Sequence, residues 1–222
     1  MPTLLLVRHG QASFGAADYD VLSEQGHAQA ALLTAELERQ GLSIGSVTAG
    51  SMRRQRETAQ PIAAFAGVPV GHDDRLDEFS AEDVLGTYST SGARLTGTQT
   101  LSSRGFQEAL DPALDAWMAA GDDGSAEVSW PAFSRRGVAA LADAGAALGA
   151  GETGVLCTSA GVIAAACVQL LGLPDAAFVA LNRVAVNGAV TKVAVGRRGM
   201  SLVSFNEHAY LTSPTRSLVT YR

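Results

Sequence analysis

Short apolar runs alternate with helix-length segments along this chain, and that alternation limits its fold more than any single residue does. Thr3–Val7 is rich enough in leucine and valine for a buried strand, and Ser46–Ala49, Val68–His72 and Val155–Thr158 repeat the signal. Between them, Ser23 offers an N-cap for a helix to about Gln40, with Gly41 as its stop. Arg53–Ala66 reads as a second helix, ended by Gly67 and Pro69. Pro131 opens a helix to about Leu148, and another follows Thr158 to Leu171, stopped by Gly172 and Pro174. Val184–Val195 and Met200–Phe205 read as two strands joined by the turn Gly196–Gly199. This order predicts an α/β three-layer sandwich, with a mostly parallel central sheet and helices on both faces. No internal repeat interrupts it.

The middle follows the pattern less closely. From Ser80 to about Ser103 the chain is rich in serine, threonine and glycine with weak periodicity; Phe106–Ala120 reads as helix and Gly121–Ser125 as a break. Residues 80–129 are therefore expected to form a lid or insertion over the active-site end of the sheet, within a single domain spanning residues 1–222. A chain of 222 residues, 47% apolar and 17% charged, has ample material for one packed core. Its net charge of -6 argues against nucleic acid and anionic membranes as partners, so an anionic ligand must be held by a local cluster of arginines. No run of 18 apolar residues suggests a membrane span. The N-terminus enters its first strand with no basic leader segment, and Cys157 and Cys167 read as buried free thiols, so a cytoplasmic protein is expected. The sequence says nothing of oligomeric state.

In open α/β sheets, ligands bind beyond the carboxyl ends of the strands. Four conspicuous groups fall at or after such ends here: Arg8-His9-Gly10, Arg53-Arg54-Gln55-Arg56, Asp77-Glu78 and Thr158-Ser159-Ala160-Gly161. Two arginine sources, a histidine and a carboxyl group at one rim suit a phosphoryl group, because guanidinium forks match its oxygens and imidazole attacks phosphorus. Each residue alone has a plainer reading. A histidine at a strand end commonly packs or caps, Arg54 sits in a charged run with Arg53 and Arg56, and Glu78 lies among carboxylates of which Asp77 and Glu82 are alternative acids. His27 and His72 read as surface residues.

Read together, these segments resemble the histidine phosphatase (phosphoglycerate mutase-like) superfamily. Leu6-Val7-Arg8-His9-Gly10-Gln11-Ala12 is similar to its opening Arg-His-Gly signature, and Leu22–Ala30 to its Leu-Thr-Glu-x-Gly-x-x-Gln-Ala segment. Arg53–Ala59 resembles the second block, placing the second phosphate arginine at Arg54, and Asp74–Glu78 the stretch carrying the acid. Gly154–Leu173 resembles the last block, a strand ending in Ser-His-Gly before a helix. Five blocks in order cover nearly the whole chain outside the middle insertion. The departures are specific. Ala160 stands where the family has its second histidine, Gln11-Ala12 replaces a frequent Glu-Thr, Gly15 falls at a usual asparagine, and the Gly-x-Trp-Glu-Gly run after the acid is absent.

The resemblance implies a phosphoric-monoester hydrolase in which His9 forms a phosphohistidine, Arg8 and Arg54 hold the phosphoryl oxygens, and Glu78 handles the leaving-group proton. Arg8, Gly10, Arg54, Ser159 and Ala160 would lie against the phosphate of a small phosphorylated molecule or inorganic phosphate. Neither metal nor other cofactor is implied. Without the second histidine, turnover is expected to be weak unless His208 supplies a substitute donor. A non-catalytic phosphate-binding pseudoenzyme is the alternative reading, and mutase activity another. A serine hydrolase built on Ser159, Asp175 and His208 is a third, since Cys157–Gly161 resembles a nucleophile elbow between strand and helix. Other phosphatase chemistries lack their residues. Ile163 and Leu173 stand where a cysteine phosphatase needs its arginine, no apolar strand precedes Asp18-Tyr19-Asp20, and there is no Gly-x-x-x-x-Gly-Lys loop.

Overall fold

The alternation of Leu4 and Leu6 with Leu5 and Val7 splits the first strand between two cores, and the rest of the fold is arranged around that split. In a computed structural model, the residues described are 1–13, 20–88, 103–212 and 218–221. The strands are β1 (Thr3–Arg8), β2 (Ile44–Ala49), β3 (Val70–His72), β4 (Thr153–Thr158), β5 (Val190–Gly196) and β6 (Gly199–Glu207). They form a sheet in the order β3-β2-β4-β1-β5-β6. The first four run parallel, β5 is antiparallel to β1, and β6 is antiparallel to β5. The predicted mostly parallel sheet is therefore present, with an antiparallel hairpin on one side.

Helices cover both faces. Leu5, Val7, Val155 and Cys157 meet α1 (Glu24–Arg39) and α2 (Arg53–Ala66), chiefly through Leu33, Leu37, Ala59 and Ile62. Leu4, Leu6, Leu156 and Val193 face α5 (Trp130–Ala146), α6 (Ala160–Leu171) and α7 (Ala177–Val184). Each fully buried aliphatic side chain of this kind contributes about 1.5–3 kcal/mol from water exclusion. Helix limits follow local chemistry. Ser23 caps α1 by accepting the Gly26 N–H, Ser129 caps α5 by accepting that of Ala132, and left-handed glycines at 67 and 172 end α2 and α6. Cys157 and Cys167 are buried and unpaired. No helix among the described residues is long and apolar enough to cross a membrane.

Two segments differ from expectation. The weakly periodic stretch after Ser80 opens with α3 (Ala81–Tyr88), which packs with α4 (Ser103–Ala120) into the core under α5 and α6. The low-periodicity residues 89–102, on which the expectation of a lid most depends, lie outside the described residues, as does Gly15. The apolar run expected to be a strand from Val184 instead ends α7, crosses a buried loop at Ala185 and Val186, and becomes β5 only at Val190. The loop needs no ladder, because side chains serve its backbone. Asn206 accepts the Val186 N–H at 2.8 Å and donates to Val184 O at 2.8 Å, while Arg8 donates to Ala185 O.

Candidate active site

The parallel strands deliver their carboxyl ends to one rim, and the polar residues singled out above collect there. β1 ends at Arg8, with His9 and Gly10 next. The turn after β2 leads directly into α2, placing Arg54 in its first turn. A short 3-10 turn, Asp74–Leu76, carries the chain from β3 to Glu78, and β4 runs through Ser159 into α6. Arg8, His9 and Arg54 are buried.

His9 is held in one tautomer. Its Nδ1 lies 2.7 Å from Gly10 O, which can only accept, so Nδ1 carries the proton. Nε2 then presents a lone pair, and Arg54 Nε donates to it at 3.1 Å. Burial, then the charges of Arg54 and Arg8, hold the imidazole well below its ordinary 6.5, against a smaller opposing pull from the Gly10 carbonyl. The ring is therefore neutral at pH 7. Arg54 also donates through Nη1 to Asp20 Oδ1 at 2.6 Å, and Asp20 Oδ2 accepts the Arg53 N–H at 2.7 Å.

Glu78 is pushed the other way. Burial raises its carboxyl above the ordinary 4.5, although the N–H groups of Gly161 and Phe79 and the charges of Arg54 and Arg8 favour ionisation. The Gly161 N–H donates to Oε2 at 3.0 Å and that of Phe79 to Oε1 at 3.2 Å. The apolar environment has a visible source. Phe79, next in sequence, stacks into an aromatic cluster, with ring centroids 5.4 Å from Trp117, 5.7 Å from Phe133 and 6.2 Å from Phe178. Trp130 joins the cluster 4.6 Å from Phe178. A neutral nucleophilic imidazole and a carboxyl group inclined to keep its proton make a complementary pair for acid–base and nucleophilic work.

The other acids of this stretch are differently placed. Asp77 accepts from Ser51 N at 2.6 Å and Ser51 Oγ at 2.5 Å, fixing the turn before α2, and Glu82 is exposed on α3. Ser159 is fully buried, and its Oγ accepts from Gln55 Nε2 at 2.9 Å. His208 stands beyond β6, its Nδ1 2.6 Å from Asn206 O. Among the described residues no hydrogen bond links Ser159, Asp175 and His208, so the serine-hydrolase triad is not assembled. Nor does His208 contact His9, Arg8, Arg54 or Glu78 by hydrogen bond or ion pair. Ala160 opens α6 and is buried. No group of three or more His, Cys, Asp or Glu able to hold a metal occurs among the described residues.

Glycine at position 10 answers to α1. A Cβ there would come 2.5 Å from Gly26 O, and one on Gly26 would come 2.1 Å from Gln11 O, so the loop and helix approach with no room for side chains. The Gly10 N–H donates to Thr58 Oγ1 at 3.0 Å. Thr58 and Asp20 thus join the site without having been given roles from the sequence. Thr58 lay within the second resembling block, and only its position four residues after Arg54, on the same helix face, marked it.

Comparisons with known proteins bear on the fold and the family. Similar folds include the phosphoserine phosphatase of Entamoeba histolytica in complex with 3-phosphoglyceric acid, at 20% identity and a TM-score of 0.67, covering 95% of this chain and 100% of that one. A mycobacterial glucosyl-3-phosphoglycerate phosphatase with inorganic phosphate is 24% identical at a TM-score of 0.65, covering 94% of this chain and 98% of that one. Bacillus stearothermophilus YhfR is 18% identical at 0.68, covering 95% and 100%. No curated protein matches the chain significantly. The family model described as histidine phosphatase superfamily (branch 1) matches residues 4–208, from inside β1 to just past β6. On that match the chain belongs to the histidine phosphatase superfamily, branch 1.

Proposed function

We propose that the chain hydrolyses a small phosphoric monoester through a phosphohistidine on His9, without a metal. The observation that carries this reading is the His9 tautomer, which leaves the Nε2 lone pair facing Arg54. Nε2 attacks phosphorus in line, while Arg54 and Arg8 turn their N–H groups to the non-bridging oxygens and offset the charge that builds there. Glu78, protonated, gives its proton to the departing oxygen as the bond to phosphorus breaks. The alcohol leaves, Glu78 takes a proton from a water that attacks the phosphohistidine, and inorganic phosphate departs with His9 neutral again. That similar folds have been crystallised with inorganic phosphate, vanadate and 3-phosphoglyceric acid supports a small phosphorylated ligand.

Ala160 favours a second reading, a module that binds the anion without turnover. Loss of one donor to an oxyanion costs about 100- to 1000-fold in rate. Hydrolysis of a generic aryl phosphate by the chain, by His9→Ala and by Ala160→His separates the two. Activity lost in His9→Ala and raised in Ala160→His supports the hydrolase. No turnover in all three, with phosphate still bound, supports the binding module. His208 is retained as a candidate donor only if His208→Ala lowers turnover.

A further inference from the structure

The loop that carries His9 leaves the sheet after Arg8, yet every main-chain N–H and C=O from Arg8 to Gln11 has a partner. Arg8 N donates to Ala189 O at 3.0 Å and Arg8 O accepts from Gly188 N at 3.0 Å; His9 N donates to Thr158 O at 2.9 Å. Beyond that point side chains replace most of the ladder, although His9 O keeps a longer main-chain bond from Gly188 N at 3.3 Å. Thr58 takes the Gly10 N–H, Gln29 Oε1 takes that of Gln11 at 2.7 Å, and Asn187 Nδ2 donates to His9 O at 3.1 Å. All three side chains are fully buried, and they come from α2, α1 and the loop before β5.

Two of them are joined through the end of the chain. Gln29 Nε2 donates to Thr220 Oγ1 at 2.8 Å and to Leu218 O at 2.6 Å. Thr220 Oγ1 donates to Asn187 Oδ1 at 3.0 Å, and Asn187 N donates to Thr220 O at 2.8 Å. The direction of each bond fixes the next. Gln29 must turn its oxygen to Gln11, so its NH2 faces Thr220. That hydroxyl, already accepting, sends its proton to Asn187 Oδ1, which leaves the Asn187 NH2 facing His9 O. The ring starts at Gln11 and closes two residues away, at His9.

We propose that Asn187 is a positioning residue for His9, oriented by Thr220, so that the C-terminal segment sets the geometry of the nucleophile's loop. The inference rests on the phosphatase reading for its role in turnover. Asn187 on His9 O holds the peptide between His9 and Gly10, while Gln29, at the other end of the same ring, holds the Gln11 N–H of the next peptide, whose Gly10 carbonyl keeps the imidazole proton on Nδ1. The same loop receives the Arg8 guanidinium on Ala185 O, but through a main-chain carbonyl that does not depend on the Asn187 side chain.

The test compares Asn187→Ala, Thr220→Val and Thr220→Ser in the full chain. Asn187→Ala is expected to lower kcat on an aryl phosphate about 100-fold, the cost of a nucleophile misplaced by about 1 Å. The dissociation constant of inorganic phosphate, held by Arg8 and Arg54, should change less than about threefold. Thr220→Val should lower kcat about tenfold, and Thr220→Ser, which keeps the hydroxyl, should restore it. Imidazole nitrogen NMR gives a readout independent of turnover: His9 is protonated on Nδ1 alone in the parent chain and becomes a mixture of tautomers in Thr220→Val. A Thr220→Val protein with parental tautomer and kcat overturns the proposal. So does parallel loss of phosphate binding, kcat and thermal stability with no change of tautomer. If the parent chain turns over no phosphoester, the phosphatase reading fails, and the tautomer comparison alone decides the role of Asn187. Thr220 is only partly buried, so its variants carry the test if Asn187→Ala does not fold.

Discussion

Gly161→Ala tests the proposed acid through a single methyl group. A Cβ at this position would lie 2.1 Å from Glu78 Oε1 and 2.8 Å from Phe79 Cε1, whereas ordinary contact starts near 3.4 Å. The carboxylate oxygen must therefore retreat by about 1.3 Å, the difference between 3.4 and 2.1. Phe79, held in its aromatic cluster, must also give by about 0.6 Å, the difference between 3.4 and 2.8, while the flexible Glu78 side chain makes the larger move and loses its bond from the Gly161 N–H. A misplacement of about 1 Å in a reacting group costs about 100-fold. The helix itself tolerates the change, since alanine is favoured over glycine in helices by about 1 kcal/mol. The informative assay compares leaving groups on kcat/KM, which reports the steps through phosphorylation of His9. A nitrophenolate departs without a proton; an alkoxide needs one. Gly161→Ala should lose about 100-fold on an alkyl phosphate and far less on nitrophenyl phosphate, with phosphate inhibition unchanged. Equal losses on both substrates, or no loss on the alkyl ester, would refute Glu78 as the proton donor.

Other consequences follow from the same geometry. Burial raises Glu78 above 4.5, so between that value and its folded value the folded chain holds a proton the unfolded chain has released. That contribution is full below 4.5 and is lost as pH rises through the folded value, so the melting advantage of Glu78→Gln over the parent should grow as pH rises above 4.5; a constant difference contradicts it. His9 runs oppositely: its contribution is full above 6.5 and is lost as pH falls through the lowered value, and the acid limb of kcat/KM should lie well below 6.5. Asp20→Asn keeps a hydrogen-bonding group beside Arg54 but removes its charge, worth about 1 kcal/mol to a nearby phosphate dianion in a solvated setting, so inorganic phosphate should bind about fivefold tighter by calorimetry. Unchanged or weaker binding would show that Asp20 serves Arg54 chiefly by orienting it.

Much of this was legible in the sequence, because the elements that matter are bounded by strong local signals. Arg53–Ala66 and the C-terminal limit of α6 fall where glycine and proline predicted, and Arg8, His9, Arg54 and Glu78 do converge at the strand ends. Three kinds of feature escaped. Ala185 and Val186 are apolar because they are buried, and only the clamp from Asn206, whose φ is 61°, makes this run a loop and not a strand. Glu78 was named by resemblance, but the contact that sets it apart from Asp77 one residue away, the N–H of Gly161 at the start of α6, is a tertiary matter. The ring through Gln29, Thr220 and Asn187 joins positions 191 residues apart, beyond any local pattern. Gly10 carried a signal whose cause was elsewhere, in the backbone of Gly26.

The aromatic cluster beside Glu78 has a further consequence for how the molecule can be watched. The chain has two tryptophans, Trp117 and Trp130, and both stand in that cluster, 5.5 Å apart. Intrinsic fluorescence is therefore a local optical probe, reporting the half of the core formed with α4 and α5 and blind to the side built on α1 and α2. An emission shift on adding a phosphoester, or across the titration of Glu78, would read the acid's surroundings with no label attached.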